Sequence, residues 1–100
     1  MKINVQTPNF TAKEELLDFV ERKLSKLEQF YDKIICADVF MKLLQTSDKE
    51  NKAVEILLSI PGGDIMIKKE AKSFEEALDD NIRALERQLK KRKQKEKVYL

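Results

Sequence analysis

The chain contains no histidine, no tryptophan, one cysteine, two glycines and two prolines in 100 residues. Each shortage removes a class of function. Without histidine there is no imidazole to act as general base, to pair with a Ser or Cys nucleophile, or to ligate a metal. Cys36 as the only thiol permits no internal disulfide, and with no histidine beside it a structural zinc site lacks ligands. The chain therefore reads as a non-enzyme with no metal, no cofactor and no small-molecule substrate. So few glycines and prolines leave little room for long loops. No apolar run approaches the roughly 20 residues that span a bilayer. The opening MKINVQ reads as a strand, not as a secretory signal. Together with the lone thiol, these features place the protein in the cytoplasm, off the membrane.

Charge, by contrast, is abundant. Charged residues make up 38% and apolar residues 42% of the chain, the balance of a folded, charge-rich domain rather than a disordered segment. One hundred residues make one domain, 1–100, of modest core. The formal net charge of +2 hides a separation of sign. Arg83, Arg87, Lys90, Lys91, Arg92, Lys93, Lys95 and Lys97 face only Glu86 and Glu96 between residues 83 and 97, a local excess of +6; the rest of the chain carries −4. A dense positive segment on a mildly acidic domain is an electrostatic footprint for a polyanion, of which nucleic acid is the commonest.

Residues 2–6 alternate, with Ile3 and Val5 on one face, and predict a short strand. Thr11 followed by Glu14 matches a capping box, and a helix is predicted from about Ala12 to Phe30. Leu16, Leu17, Val20, Leu24, Leu27 and Tyr31 form its apolar stripe. Residues 34–44 and 53–60 read as strands, joined by the polar loop QTSDKEN. Pro61-Gly62-Gly63-Asp64 predicts a tight turn into a hairpin strand over 64–71. Ser73 with Glu76 is a second capping box. It opens a long helix from Phe74 into the nineties, with Phe74, Leu78, Ile82, Leu85 and Leu89 as its stripe. The stripe stops at Leu89, so residues 93–100 are expected to form a frayed basic tail. The order β-α-β-β-β-α predicts an α+β fold: a mostly antiparallel four-stranded sheet with both helices packed on one face.

At about 100° per residue, the first helix carries Arg22, Lys23 and Lys26 on one flank and Glu14, Asp18, Glu21 and Glu28 on the other, with Glu15 out of place on the basic side. In the second helix Glu75, Glu76, Asp79 and Asp80 fill the first two turns, and Arg83, Arg87, Lys90 and Lys91 then form a solvent-facing strip. The helix dipole rewards charges placed in this order, but its influence fades within one turn and does not account for eight bases over fifteen residues. A solubilising face is the competing account of such a run. Two basic strips on neighbouring helices favour binding.

Several segments then resemble one family. Lys26-Leu27-Glu28-Gln29-Phe30-Tyr31-Asp32-Lys33-Ile34, the Gly62-Gly63-Asp64-Ile65 hairpin, the Phe74…Ala77-Leu78-Asp79 helix opening and Leu85…Arg87-Gln88-Leu89…Lys91…Lys93 follow in order and spacing. The chain is similar to the short form of the ribosome hibernation promoting factors and ribosome-associated inhibitors, over nearly its whole length. Pro61 departs from the Asn frequent before the glycines in that family, and Glu75-Glu76 from the Tyr-Ala frequent in that helix opening. The resemblance implies a layout like a double-stranded-RNA-binding domain. It also implies a stress and stationary-phase factor that binds the small ribosomal subunit and its rRNA, in the channel of messenger and transfer RNA, and blocks translation. Carried over by position, Lys23, Lys26, Lys33, Arg87, Lys91 and Lys93 would face rRNA; Arg22, Arg83 and Lys90 join them from the face analysis above. Off the ribosome the protein is expected to be monomeric.

Two other readings stay open on the residues alone: a general double-stranded-RNA-binding module, and a protein-interaction domain for an acidic partner. The first is disfavoured by Glu75, Glu76, Asp79 and Asp80 at the helix start, where such modules meet phosphates. Asp64 beside the two glycines reads as a hairpin residue, since no phosphate-loop lysine pattern surrounds it. Phe40, alternating outward between Asp38 and Lys42, reads as part of a cross-strand apolar patch with Leu57 rather than a base-stacking platform.

Overall fold

Alternation of apolar residues with period two drives the strands, and spacing of three and four drives the helices. In the computed structural model, which describes residues 1–47 and 49–98 (the last three by backbone alone), the elements are β1 (Lys2–Gln6), α1 (Glu14–Phe30), β2 (Cys36–Leu43), β3 (Lys52–Ile60), β4 (Gly63–Ala71) and α2 (Phe74–Val98). The sheet order is β1-β2-β3-β4. β1 and β2 run parallel because α1 carries the chain back between them; the two hairpin pairings are antiparallel. This is the expected α+β layout, mostly antiparallel, with the helices on one sheet face.

That face holds the core. Ala37, Val39 and Met41 of β2 and Val54, Ile56, Leu58 and Ile60 of β3 are buried against Val20, Leu24 and Leu27 of α1 and Leu78, Ile82, Leu85 and Leu89 of α2. Ile65 and Ile67 of β4 pack half-buried at its margin, while Met66 between them is exposed, as alternation requires. On the opposite face Phe40 is 37% exposed and pairs across β3 with Glu55, so Leu57 is its diagonal neighbour.

The structure corrects several local expectations. α1 starts at Glu14, not Ala12, with Lys13 at its N-cap and no side-chain cap. Thr11 thus lies two residues ahead of the cap, and its predicted box with Glu14 does not form; the acids Glu14 and Glu15 complement the helix dipole instead. Leu17 is 38% exposed although it belongs to the predicted stripe, because it lines a shallow groove with Met1 and with Ile3 and Val5 of the edge strand. The turn after β3 is tighter than expected. Ile60 pairs with Gly63, leaving Pro61 and Gly62 as a two-residue loop. Proline followed by a residue at φ +87° suits a type II turn. The second capping box holds in its first half, Glu76 N donating to Ser73 Oγ at 3.1 Å. Helical backbone continues to Val98; the rest of the expected tail, residues 99 and 100, lies outside the described residues.

Two asparagines join parts of the fold that no local pattern connects. Asn9 presents its side-chain amide to Leu43 like a strand residue, donating to the carbonyl at 2.6 Å and accepting from the N–H at 3.0 Å. It thereby extends the pairing of β2 beyond the end of β1. Asn81 of α2 is fully buried and donates to the carbonyls of Val54 (2.8 Å) and Ile67 (3.1 Å), tying the helix to β3 and β4. Among the described residues no helix is long and apolar enough to cross a membrane.

Candidate nucleic-acid interface

The two helices lie side by side, and two contacts set their relative direction. Lys23 Nζ of α1 stands 3.1 Å from Asp79 Oδ1 of α2. About two turns further along α1 and nearly four along α2, Lys93 Nζ donates to the carbonyl of Phe30 at 3.0 Å. Both helices therefore run the same way. Their acidic first turns lie towards one pole of the molecule, and their basic later turns towards the other.

Those contacts also mark which side of each helix faces the groove between them. On α1, rotation by about 100° per residue places Lys26 and then Arg22 on the exposed side of Lys23; both are exposed. On α2 the same rotation places Lys90 and Arg83 within about 40° of Asp79, with Arg87 next to them, and all three are exposed. Arg22 and Lys26 thus form one bank, and Arg83, Lys90 and Arg87 the other. Arg22 and Lys23 both stand over the Phe19 ring, at 5.7 and 5.3 Å, which holds their cationic heads near the groove.

Four predicted residues are placed differently. Lys23 lies at the helix interface and is partly engaged by Asp79; an ion pair of such exposure contributes about 0–1 kcal/mol. Lys93 serves the end of α1. That helix has no basic residue in its own last turn, and Lys93 supplies the missing cation from α2 through the Phe30 carbonyl and a 5.0 Å approach to the Phe30 ring. Lys33 is exposed in the turn after α1, at the same pole. Lys91 turns away from the groove and lines an open notch between α2 and the β3–β4 hairpin, together with Asp64, Ile65, Gln88, Arg92 and Lys95.

Glu86 and Arg92 escaped the reading of site residues. Glu86 lies within about 20° of Asp79 by helical rotation, so an exposed carboxylate stands among the bases of the α2 bank. Its signal was its position seven residues after Asp79. Arg92 is half-buried, and its guanidinium lies against the hairpin turn. A Cβ built on Gly62 would come within 3.2 Å of Arg92 Nη1, and one on Gly63 within 3.4 Å of Nη2. The glycines are required for positive φ (+87° and +148°), and their lack of a side chain also leaves room for the guanidinium. Arg92 follows Leu78 and Leu85 at spacings of seven, which places it on the core side of α2 and was legible in principle. Among the described residues no group of His, Cys, Asp and Glu could hold a metal.

The family model described as sigma 54 modulation protein / S30EA ribosomal protein matches residues 3–97. A Pseudomonas putida protein named ribosome hibernation promoting factor is 34% identical over 100 residues, covering 100% of this chain and 94% of that one. A Bacillus subtilis protein named ribosome hibernation promotion factor is 37% identical over 97 residues, covering 95% of this chain and 50% of its own length. A solved ribosomal subunit interface protein from Coxiella burnetii has a TM-score of 0.82 at 24% identity, with coverage of 93% of this chain and 98% of that one, a likeness of fold.

Proposed function

The chain belongs to the sigma 54 modulation protein / S30EA ribosomal protein family, and from that premise we propose that it is a ribosome hibernation factor of the cytoplasm, binding the small subunit in the channel of messenger and transfer RNA. It is a non-enzymatic ribosome-binding protein, and its action is occupancy. Lys and Arg side chains neutralise rRNA phosphates and release counterions, which gives affinity with little sequence preference. Folded RNA is recognised by the shape of its backbone, for which two cationic banks at a fixed separation are suited. A domain seated there excludes messenger and transfer RNA, so translation stops without any bond being made or broken.

The observation that supports this reading most is the common direction of the two helices. It turns the later, base-carrying turns of both helices towards one end and leaves Glu14, Glu75 and Glu76 at the other, while Glu15, Asp18 and Glu21 share the outer side of α1 with Arg22 and Lys26. A free duplex binder would meet phosphates with the start of its second helix, and here that start is acidic.

The test is co-sedimentation with isolated small subunits over a range of salt. Arg83→Glu, Arg87→Glu and Lys90→Glu combined should weaken binding by about a hundredfold or more and flatten the salt dependence by about two to three ions. Subunits preloaded with message and transfer RNA should refuse the wild-type protein. Unchanged affinity and slope in the triple variant, or undiminished binding to preloaded subunits, would overturn the proposal.

A further inference from the structure

Past Leu89 the described side chains of α2 enter the core no further, yet the helix continues to Val98. That stretch is poor material for a free helix end. Arg87, Lys91 and Lys95 are spaced by four, and Lys90 and Lys93 by three, so like charges stack along the same faces and repel. The structure nevertheless holds this stretch at two consecutive residues that reach in different directions. Arg92 brings its two terminal guanidinium nitrogens to 3.2 and 3.4 Å from the positions that Cβ atoms on Gly62 and Gly63 would take at the hairpin turn. Lys93 reaches the other way, to the Phe30 carbonyl and ring at the end of α1.

We propose that Arg92 is a positioning residue: seated on the glycine turn while Lys93 holds the end of α1, it braces the basic half of α2 from both sides and presents Arg87, Lys90 and Lys91 as a preformed surface. The functional half of this inference rests on the polyanion-binding role above. A helix ordered in advance loses less conformational freedom on docking, and that saving appears as affinity. The fit is specific to a planar fork. Lysine keeps the charge but brings one nitrogen where the two glycines meet two. The glycines belong to the same device, since a Cβ on Gly62 would press on the guanidinium at 3.2 Å and one on Gly63 would touch it at 3.4 Å.

Two variants, Arg92→Lys and Arg92→Ala, separate positioning from plain charge. In the free protein, amide hydrogen exchange of residues 90–96 should become about tenfold faster in both, while residues 74–85 stay within about twofold. On small subunits, Arg92→Lys should bind about three- to tenfold more weakly with an unchanged salt slope, since the number of cations is conserved. Wild-type exchange in Arg92→Lys would overturn the brace. Wild-type affinity in Arg92→Lys, with loss and a shallower slope only in Arg92→Ala, would make Arg92 an ordinary phosphate contact and overturn the positioning role. If the wild-type protein failed to bind small subunits at all, the functional reading would fall, while the exchange measurement would still decide the brace.

Discussion

From Phe74 to Leu89, α2 turns buried side chains towards the sheet at every turn; from Lys90 to Lys95 the described side chains that hold it are polar. Ala77, Leu78, Ile82, Ala84, Leu85 and Leu89 bury the first half, Asn81 bonds it to two strands, and Ser73 caps it. Arg92 and Lys93 brace the second half from its flanks. One helix thus divides its duties. The first half contributes stability through area removed from water, and the second carries charge that a core could not accommodate. Arg83 and Arg87 lie on the exposed side of the buried half and the remaining bases follow it, so their charge is not carried into the core.

This division can be broken most forcefully at Leu85, which has no exposed surface. Leu85→Ala should cost about 2–5 kcal/mol in denaturant unfolding, a large share of the stability of so small a domain. A cost under about 1 kcal/mol would mean that the first half of α2 is not what holds the fold. Asn81→Ala comes next. It removes two donors from strand carbonyls inside the core and leaves a small cavity, for an expected loss of about 1–3 kcal/mol. The Asn81 Oδ1 acceptor is buried with no partner, which offsets part of what the amide donors contribute and keeps the expected loss below that at Leu85. Neither change touches a base, so at temperatures where the variants remain folded the salt dependence of ribosome binding should match wild type.

The smallest effect on stability belongs to the exposed face of α2, and it sharpens the contrast. Glu86→Gln should shift unfolding by under about 0.5 kcal/mol, since the side chain is exposed. It should nonetheless tighten small-subunit binding about two- to fivefold, by removing an exposed carboxylate from among the bases of the α2 bank. Unaltered or weaker binding would show that this bank does not face RNA.

Much of the fold was legible because it is written in local periods. Ile3 and Val5, then Val54, Ile56, Leu58 and Ile60, alternate as half-buried strands must, and Leu78, Ile82, Leu85 and Leu89 recur as a buried helix face must. Thr11 misled because a capping box is only a spacing, and the same spacing occurs where the helix begins later. Leu17 misled because an apolar residue on the correct helical face still needs something opposite it, and β1 is a short edge strand. Of the interface, the two banks were readable from helical angle once two neighbouring helices were assumed. The roles of Lys93, Arg92, Asn9 and Asn81 were not, because each partner lies far along the chain: Phe30, the Gly62-Gly63 turn, Leu43, and Val54 with Ile67.

By itself the amino-acid order determined the strands and helices, the absence of imidazole, and the crowding of bases near the C-terminus, all properties of composition and short-range spacing. Only the packed molecule decided that α1 and α2 run in the same direction, that Lys23 and Lys93 knit the helices together, and that Arg92 reaches the Gly62-Gly63 turn. Contacts across tens of residues depend on where each layer settles, and that position is set jointly by every side chain in the core.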